Sequence, residues 1–558
     1  MPFDPIRRFR TVALRASAVG ICAISTATAA AQAPIAFEER ASAAGLDFVH
    51  ATGAVGDRYM VETMGSGVAA ADFDQDGYVD LYWAQGAATP GTQASTDPRN
   101  RLYRADGDGT FTAVGNGDST SWSMGVAVAD FDDDGFPDVY VTNLGNNQLF
   151  RNNGDGTWDE VGEHARVNDG AWGASAAWAD IDSDGDLDLY VTNYVDFTWN
   201  NHKFCGNPQR NLRAYCHPDV YNAAADVLYR NEGNGTFAEI GAQAGIANTL
   251  DGKGLGVVFG DYDNDGDPDA YVANDSTRNF LYRNDGTGTF MEDGLLSGVA
   301  FSADGQAEAG MGTDWGDFDN DGLLDVFVTN LDLETNSLYR GLGESAFAEV
   351  TFASGLGEPS LLQVGFGTNW ADLDNDSDLD LFVANGHIID NIAEFRDNIT
   401  YAQTNQIFRN DDGAFADISA AAGLSAATVS RGSVAADLNA DGLLDLVVSN
   451  NGGSPELLIN SSTPGNWISL RLAGRNGSRW PAGARVTATF GDTTVVRELR
   501  AGSSYCSSGP SVVHLGLGEA TEATIDIRWP GGDAEHLGAV ASGTHALVRQ
   551  GLGVVASR

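Results

Sequence analysis

The stretch DFDQDGYVD, residues 72–80, decides the fold of this chain, because its pattern D-x-D-x-D-G-x-x-D occurs seven times. Two copies depart from the pattern: Ser377 replaces the glycine of the sixth, and Asn439 replaces an aspartate of the seventh. Successive copies begin 58, 50, 81, 56, 55 and 65 residues apart, which is a spacing typical of repeat proteins. The copies begin at Asp72, Asp130, Asp180, Asp261, Asp317, Asp372 and Asp437.

The chemistry of each copy indicates calcium. Asp72, Asp74 and Asp76 alternate along a tight loop, so their carboxylates can converge on one hard cation, which prefers oxygen ligands. Gly77 permits a positive φ, the carbonyl of Tyr78 is placed as a backbone ligand, and Asp80 completes the shell. A single such loop could be an acidic turn, but seven aligned copies favour calcium, and we expect five to seven ions. The sites with Ser377 and Asn439 are expected to be the weakest.

The same positions give the ligands predicted for the other six loops. They are Asp130, Asp132, Asp134, Phe136 and Asp138; Asp180, Asp182, Asp184, Asp186 and Asp188; Asp261, Asp263, Asp265, Asp267 and Asp269; Asp317, Asp319, Asp321, Leu323 and Asp325; Asp372, Asp374, Asp376, Asp378 and Asp380; and Asp437, Asn439, Asp441, Leu443 and Asp445.

The flanks of the loops predict strands. GVAAADF and YVDLYWA, on either side of the first loop, are short and rich in small or β-branched residues, unlike the helices of an EF-hand. A small residue stands five positions before each loop, as expected where inner strands crowd around an axis. These residues are Gly67, Gly125, Ser175, Gly256, Gly312, Gly367 and Gly432.

A second hairpin follows each loop, for example RLYRADGDGTF in the first unit and FLYRNDGTGTF in the fourth. The seventh unit lacks the tail that ends the others, and a matching tail, FEERASAAGL, begins at Phe37. We therefore predict an all-β, seven-bladed β-propeller over residues 32–465, in which a strand within 37–46 completes the last blade. A small β-rich domain is predicted for residues 466–558.

These units resemble the FG-GAP or VCBS repeats of integrin α-type propellers. Residues 466–550 resemble the ASPIC/UnbV domain through WISLRLAGRNGSRWPAGARVTATFG, AGSSYCSSGPSVVHLGLG and IDIRWPGG. Together the two parts resemble the bacterial proteins related to cartilage acidic protein.

Charge and the N-terminus bear on location. The net charge of −47 disfavours nucleic acid as a partner, because phosphate binding requires basic surface. Residues 1–31 are predicted to be an export signal, with arginines 7, 8, 10 and 15, an apolar stretch 16–29 and an A-x-A cleavage site before Gln32. No other stretch could span a bilayer. The mature protein is therefore expected in the periplasm, at the cell surface or secreted.

Three cysteines remain after cleavage. Cys205 and Cys216 lie in a long insertion at 194–225 and are expected to pair in an oxidising compartment. The alternative is a metal site formed by these two cysteines with His202 and His217. Cys506 is expected to be a buried thiol.

The partner is predicted on the face opposite the calcium loops. Long insertions, 86–100, 194–225 and 386–404, begin at that end of the strands. An amide residue ends each strand there, either capping a turn or contacting a ligand. These residues are Gln85, Asn143, Asn193, Asn274, Asn330, Asn385 and Asn450.

Four further residues invite two interpretations. His387 is either a hydrogen-bonded turn residue or a catalytic one, and His514 is expected in the core. The tryptophans before the loops, among them Trp315 and Trp370, are expected between blades rather than stacked on sugars.

Three functions remain open at this point. The first is an exported calcium-binding propeller that binds a protein or glycan as an adhesion or interaction module. The second is a secreted metal-dependent enzyme acting on carbohydrate, of lyase or dehydratase type. The third is a periplasmic assembly or scaffold factor. The absence of G-x-S-x-G, H-E-x-x-H and phosphate-loop motifs favours the first.

Overall fold

The computed structural model describes residues 35–557 except 93–98, 116–120, 211, 247–250, 464 and 476–479. The predicted export signal, residues 1–31, lies outside the described residues. No helix in the described part of the chain is long and apolar enough to cross a membrane.

Within these residues the chain folds into seven consecutive four-stranded antiparallel sheets, the blades, followed by two further four-stranded sheets. Blades 1 to 4 comprise Val68–Ala71, Asp80–Trp83, Arg101–Ala105 and Phe111–Val114; Ser123–Ala129, Asp138–Asn143, Gln148–Asn152 and Trp158–Glu160; Gly173–Ala179, Asp188–Asn193, Val227–Asn231 and Phe237–Glu239; and Gly254–Gly260, Asp269–Asn274, Phe280–Asn284 and Phe290–Glu292. Blades 5 to 7 comprise Thr313–Gly316, Asp325–Val328, Ser337–Gly341 and Phe347–Glu349; Gly365–Ala371, Asp380–Asn385, Gln406–Asp411 and Ala414–Asp417; and Ser430–Ala436, Asp445–Asn450, Glu456–Asn460 and Phe37–Glu39.

The prediction of an all-β chain of repeated propeller blades is confirmed. Each Asp-rich loop joins the first and second strands of its blade, and the innermost strands of consecutive blades contact one another. The innermost strand of blade 7 contacts that of blade 1. The N-terminal strand Phe37–Glu39 pairs with Glu456–Asn460 and so supplies the outer strand of blade 7. That pairing gives blade 7 four strands, as in the other six blades.

Short helices and small sheets lie between the blades. Four-residue α-helices occupy Gly162–Ala165, Gly241–Ala244, Gly294–Ser297, Thr351–Ser354 and Gly357–Ser360. Short 3₁₀ turns occupy Met60–Thr63, Pro208–Arg210, Pro218–Val220, Ile392–Glu394 and Pro530–Gly532. Two-stranded sheets pair Cys205–Asn207 with Leu212–Ala214, and Gln403–Thr404 with Ala427–Thr428.

The C-terminal part is a sandwich of two sheets. One sheet orders its strands as Val512–Gly518, Asn466–Ala473, Thr544–Arg549 and Gly553–Ser557; the other as Thr493–Glu498, Arg485–Phe490, Glu522–Arg528 and Ala534–Ala541. Alternate residues of these strands, such as Leu470, Val486 and Ile525, are fully buried in one shared core.

Aromatic side chains fill the spaces between blades. Trp315 is 1% exposed. Its ring centroid lies 5.9 Å from that of Tyr271 in blade 4 and 6.0 Å from that of Phe347 in its own blade. The ring centroid of Trp370 similarly lies 5.9 Å from that of Phe327 in blade 5 and 5.9 Å from that of Phe415 in its own blade. The prediction that these tryptophans pack between blades is confirmed.

Candidate metal loops, axial loop and insertion face

The seven Asp-rich loops share one backbone conformation. The residue at the fourth position has a positive φ in every copy, for example 59° at Gln75 and 60° at Ala440. The residue at the sixth position does so too, and at this position Ser377 has a φ of 87° where the other copies have glycine. A side chain in this region of backbone space is strained, so loop 6 carries a cost that the other loops avoid.

In loops 1, 2 and 5 the first aspartate has one oxygen that accepts a hydrogen bond and one that does not. Oδ2 of Asp130 accepts the N–H of Gly135 at 2.9 Å, and Oδ2 of Asp317 accepts that of Gly322 at 3.1 Å. The Oδ1 atoms of Asp72, Asp130 and Asp317 are buried and have no donor within hydrogen-bond distance. Buried acceptors left this way are costly unless a proton or a cation satisfies them.

The loop carboxylates converge. Among the described residues, six groups of metal-ligating side chains have their oxygen atoms within 4.8 Å of one another, and five of these belong to loops 1 to 5. In loops 1, 2, 3 and 5 the group consists of the first, third and ninth positions, as in Asp72, Asp74 and Asp80. The orphaned oxygens and this convergence fit the hard, oxygen-liganded calcium ion. In loop 1 the three grouped residues, Asp72, Asp74 and Asp80, are among the five that the sequence predicts as ligands.

Burial and mutual repulsion govern the protonation of these groups. Burial, reinforced by Asp133 and Asp134, raises the pKa of Asp130 to about 7. Burial similarly raises the pKa of Asp180 to about 7, with Asp184 adding to the effect. A divalent cation between the carboxylates would reverse this cost, because it favours their ionised form.

The ninth aspartate has a second task that the sequence did not reveal. Asp138 accepts the N–H of Phe131 in its own loop at 3.1 Å and that of Asn152 in the next hairpin at 2.8 Å. Equivalent pairs of bonds occur at Asp80, Asp188, Asp325, Asp380 and Asp445. This residue therefore ties the metal loop to the second hairpin of its blade.

An asparagine in that second hairpin links neighbouring blades. The Nδ2 of Asn152 donates to the carbonyl of Phe73, in the loop of the preceding blade, at 2.8 Å. The same bond is made by Asn231, Asn284, Asn410 and Asn460 at 2.7–3.0 Å. Ala105 in blade 1 and Gly341 in blade 5 occupy this position without the amide. The recurring R-N pair of the second hairpins was a usable signal for this contact.

A loop of the C-terminal sandwich, residues 501–510 (the axial loop), occupies the axis of the propeller. Its backbone bonds to the innermost strands of several blades: Ser504 exchanges hydrogen bonds with Thr313, Cys506 accepts from Val126 at 2.9 Å, and Ser508 accepts from Ala70 at 3.0 Å. The hydroxyl of Tyr505 donates to the carbonyl of Met64 at 2.8 Å, so the loop extends towards the insertion face.

The axial loop explains the small residues before the metal loops. A Cβ at Gly67 would overlap the carbonyl oxygen of Cys506, and one at Gly432 would overlap the hydroxyl of Ser507. Those at Gly312 and Gly367 would overlap backbone of the next blade instead. The predicted crowding is therefore real, but part of it comes from the C-terminal segment. Cys506 is a buried free thiol, as predicted, and burial raises its pKa to about 12.

The sandwich itself lies on the metal-loop face. Arg497 donates to the carbonyl of Ser377 at 2.8 Å, Arg471 lies 3.2 Å from Asp72, and Arg528 pairs with Asp261. His514 lies 2.7 Å from Asn375 of loop 6, with its pKa lowered to about 3 by burial. It is half-buried between the sandwich and the propeller, so the expectation that it is a core residue is wrong. Its neighbours Val513 and Leu515 fill that core.

At the opposite end, three separate segments interlock. Arg58 makes a two-pronged pair with Asp390 of the 386–404 insertion, at 2.9 and 3.1 Å. Asp57 pairs with Arg213 of the 194–225 insertion at 3.0 Å, and Asn391 donates to the carbonyl of Arg213 at 3.1 Å. We call this surface, made by residues 52–64, 194–225 and 386–404, the insertion face.

The predicted disulfide is present in this face. Cys205 and Cys216 are bonded, with their Cα atoms 5.2 Å apart, and the bond connects the two-stranded sheet of the insertion to the chain beyond it. The alternative of a metal site with cysteine ligands is therefore wrong. His202 instead lies against the ring of Tyr59, at 4.3 Å between centroids.

The insertion face is anchored by a buried arginine. Arg431 has no exposed surface, and it donates to the carbonyls of Thr63, Gly386 and Ser430 at 2.7–2.9 Å. Its guanidinium lies 3.9 Å from the ring centroid of Phe366, and burial lowers its pKa to about 10. One side chain thus fastens two of the three segments to blade 7.

The amides at the strand ends cap turns. Asn143 donates to the carbonyl of Asn146 at 2.8 Å, Asn385 to that of Thr404 at 3.0 Å, and all seven amide residues are at most 4% exposed. The six asparagines therefore close the loops that follow their strands, whereas Gln85 bonds to Val49 and Ala51, and all seven side chains are too buried to contact a partner. His387 is equally committed: its Nδ1 accepts from Ile389 at 2.9 Å, so Nε2 donates to Asp332 at 3.0 Å.

Comparison with known proteins agrees with this architecture. The family model of the FG-GAP-like repeat matches just over half of the chain, at residues 72–141, 130–191, 216–272, 261–328 and 317–383. The description "ASPIC and UnbV" matches residues 474–554. The chain therefore belongs to the FG-GAP-like repeat family, with an ASPIC and UnbV domain at its C-terminal end.

Relatives that match part of this chain are cartilage acidic proteins. The chain is 27% identical over 310 residues to cartilage acidic protein 1 of Mus musculus, covering 53% of this chain and 44% of the relative. It is 26% identical over 309 residues to the Homo sapiens protein, covering 53% and 43%. The chain therefore spans less than half the length of the curated relatives that it matches.

Two lectins are among the solved structures to which the chain is similar, both at low identity. A lectin from Burkholderia pseudomallei is 10% identical, with 72% of this chain and 96% of that chain covered and a TM-score of 0.43. A lectin from Agrocybe aegerita is 14% identical, with 71% and 94% covered and a TM-score of 0.39. Likenesses at this level carry no argument about function.

Proposed function

We propose that this chain is an exported, calcium-stabilised propeller that acts as an interaction or adhesion module, and that its protein or glycan partner binds the insertion face. One observation carries the proposal: aspartate oxygens converge within 4.8 Å in repeated loops, and several are buried without a donor. Five to seven bound calcium ions would satisfy these oxygens and remove the repulsion between the carboxylates.

The position of the C-terminal sandwich supports the choice of face. It covers part of the metal-loop face through Arg471, Arg497 and Arg528. The insertion face holds exposed aromatic side chains instead, with Phe204 45% and Phe395 43% exposed. Exposed aromatic residues on a rigidly held loop are frequent anchors of binding. The disulfide and the basic leader favour an oxidising, extracytoplasmic location.

Calcium is tested by thermal unfolding of the mature protein with calcium and with chelator, together with metal content by mass spectrometry. Each site saturated a hundredfold above its dissociation constant contributes about 2.7 kcal/mol, so the expected fall in melting temperature on chelation is large. An unchanged melting temperature, or a stoichiometric transition metal in place of calcium, would contradict the proposal.

The insertion face is tested on an array of immobilised glycans with the calcium-loaded protein. A glycan signal should fall in the Phe204→Ser, Phe395→Ser double variant and persist in Phe352→Ser, whose phenylalanine is 67% exposed on a blade helix outside this face. Equal signals from both variants would place glycan binding elsewhere. An array without any signal would leave a protein partner as the form of the proposal to pursue.

A further inference from the structure

A cavity of about 700 Å³ lies between the metal-loop face and the C-terminal sandwich. Its floor is formed by the beginnings of the metal loops in blades 1, 2, 5, 6 and 7, and its roof by strands of both sandwich sheets. The two stems of the axial loop, near Gly502 and Gly509, form part of its wall. Cavities of this size at domain interfaces are a common location of small-molecule sites.

The walls of the cavity are largely apolar. Trp315 and Trp370 contribute from the propeller, and Leu472, Trp480 and Leu499 contribute from the sandwich. These five side chains are each at most 5% exposed. A ligand that fills the space would therefore bury an apolar body against them.

Two buried donors in the lining have no acceptor. The Nε of Arg497 and the Nε1 of Trp315 are buried without a hydrogen-bond partner. The other nitrogens of Arg497 are already committed to Ser377 and Val496, both at 2.8 Å. Because an unmade buried hydrogen bond is costly, an acceptor group in the cavity would be favoured.

The charge of the lining favours an anion, and this step rests on the proposed calcium binding. The arginines that line the cavity are Arg471, Arg497, Arg500 and Arg549. Calcium bound in the loops would neutralise those lining aspartates that belong to the loops. The lining acids outside the loops are Asp314, which pairs with Arg500 at 2.7 Å, and Glu498. Positive charge is then in excess.

We propose that this cavity is a binding site for one anionic amphiphile, a molecule with an apolar chain or ring and a single carboxylate or sulfonate. The apolar body would lie against the tryptophans and leucines, and the acid group would accept from Arg497.

Binding is tested with the fluorescent probe 1-anilinonaphthalene-8-sulfonate on the calcium-loaded mature protein, whose calcium content is measured on the same sample. We expect one saturable site. The decisive variant is Gly509→Phe, because Gly509 lines the cavity, does not have a left-handed backbone, and a Cβ there meets nothing within 4 Å. The new ring should occupy the cavity and weaken probe binding at least tenfold. Probe binding equal to that of the unmodified protein would overturn the proposal.

Gly115→Phe is the matched control. Gly115 is exposed outside the cavity, and a Cβ there also meets nothing within 4 Å. It should bind the probe as the unmodified protein does, and both variants should keep the native circular dichroism spectrum. A loss of probe binding in Gly115→Phe equal to that in Gly509→Phe would overturn the assignment to this cavity.

Chain-matched competitors test the charge. Octanoate should displace the probe at a concentration at least tenfold lower than octan-1-ol does, because only octanoate supplies an anionic acceptor. Equal displacement overturns the anionic class of the ligand. A calcium-loaded sample without a saturable site overturns the cavity proposal alone, whereas a saturable site in a sample that carries no calcium overturns the calcium assignment.

Discussion

The two ends of the propeller are built in different ways. The metal-loop face repeats one nine-residue pattern seven times, and the C-terminal sandwich is fastened to it through charged side chains and the axial loop. The insertion face repeats nothing: it is made of three unrelated segments held by a disulfide, ion pairs and the buried Arg431. A disruptive substitution at the metal-loop face should therefore destabilise the whole protein, whereas one at the insertion face should destabilise only that face.

The largest effect is expected at the axis. In Gly67→Val the side chain would overlap the backbone of Cys506, which cannot move without breaking its bonds to Val126 and Ser175. We expect a loss of about 3 kcal/mol or more in the free energy of unfolding, measured by denaturant titration of calcium-loaded protein. Gly115→Val is the control and should change little. An unchanged midpoint of unfolding for Gly67→Val would mean that the axial loop does not lie at the propeller axis in solution.

The second-largest effect is expected in blade 3, where the longest insertion begins. In blades 2, 4, 5 and 6 an asparagine accepts the backbone N–H at the strand end, whereas blade 3 uses Asp226, at 2.8 Å from the nitrogen of Asn193. Burial raises the pKa of Asp226 to about 7 from the usual 3.8. The folded state therefore binds this proton more tightly than the unfolded state, and the associated stability is lost as the pH rises from about 4 through 7.

Asp226→Asn should remove this loss. We expect the stability gain of the variant over the unmodified protein to be about 1–3 kcal/mol larger at pH 8 than at pH 5, in denaturant titrations at both values. The Tyr190 hydroxyl, which donates to Asp226 at 2.8 Å, can accept from the new amide instead. A stability difference that is the same at both pH values would show that the proton on Asp226 is not the cause.

A smaller global effect is expected from the disulfide. Removing it with Cys205→Ser and Cys216→Ser frees a short loop whose closure is worth about 2–3 kcal/mol, but only to the insertion. The midpoint of global unfolding should move by less than about 1 kcal/mol, while proteolysis within 194–225 becomes faster. If the global midpoint fell as far as in Gly67→Val, the insertion face would not be a separate unit and the comparison would fail.

The smallest effect concerns the seam between blades 1 and 7. Ala105 occupies the position at which Asn152 and its equivalents bond to the preceding blade. Ala105→Asn should supply that bond to blade 7 and stabilise the protein by about 1 kcal/mol. Ala113→Asn, on an exposed position of the same hairpin, is the control. A destabilised Ala105→Asn variant would show that the seam is packed differently from the other blade interfaces.

Much of the architecture could be predicted because it is local. The residues on each side of the repeated loop predict strands. The tail at Phe37 matches the one that the seventh unit lacks, and it does complete blade 7. His514 was misplaced because an apolar strand shows only that alternate residues are buried, not which domain lies over the other side. The blade-linking asparagines were visible as a repeated R-N pair, but their acceptor lies in another blade.

The sequence by itself determined the number of repeats, the carboxylate-rich chemistry of each loop and the pairing of Cys205 with Cys216, since each depends on residues close together in the chain or on a recurring pattern. Only the tertiary structure decided what occupies the axis, which face the sandwich covers and how residues 52–64 interlock with the insertions at 194–225 and 386–404. Those contacts join residues hundreds of positions apart, such as Gly67 with Cys506 and Arg58 with Asp390. No local spacing encodes them, because they arise only when distant blades and the C-terminal sandwich pack together.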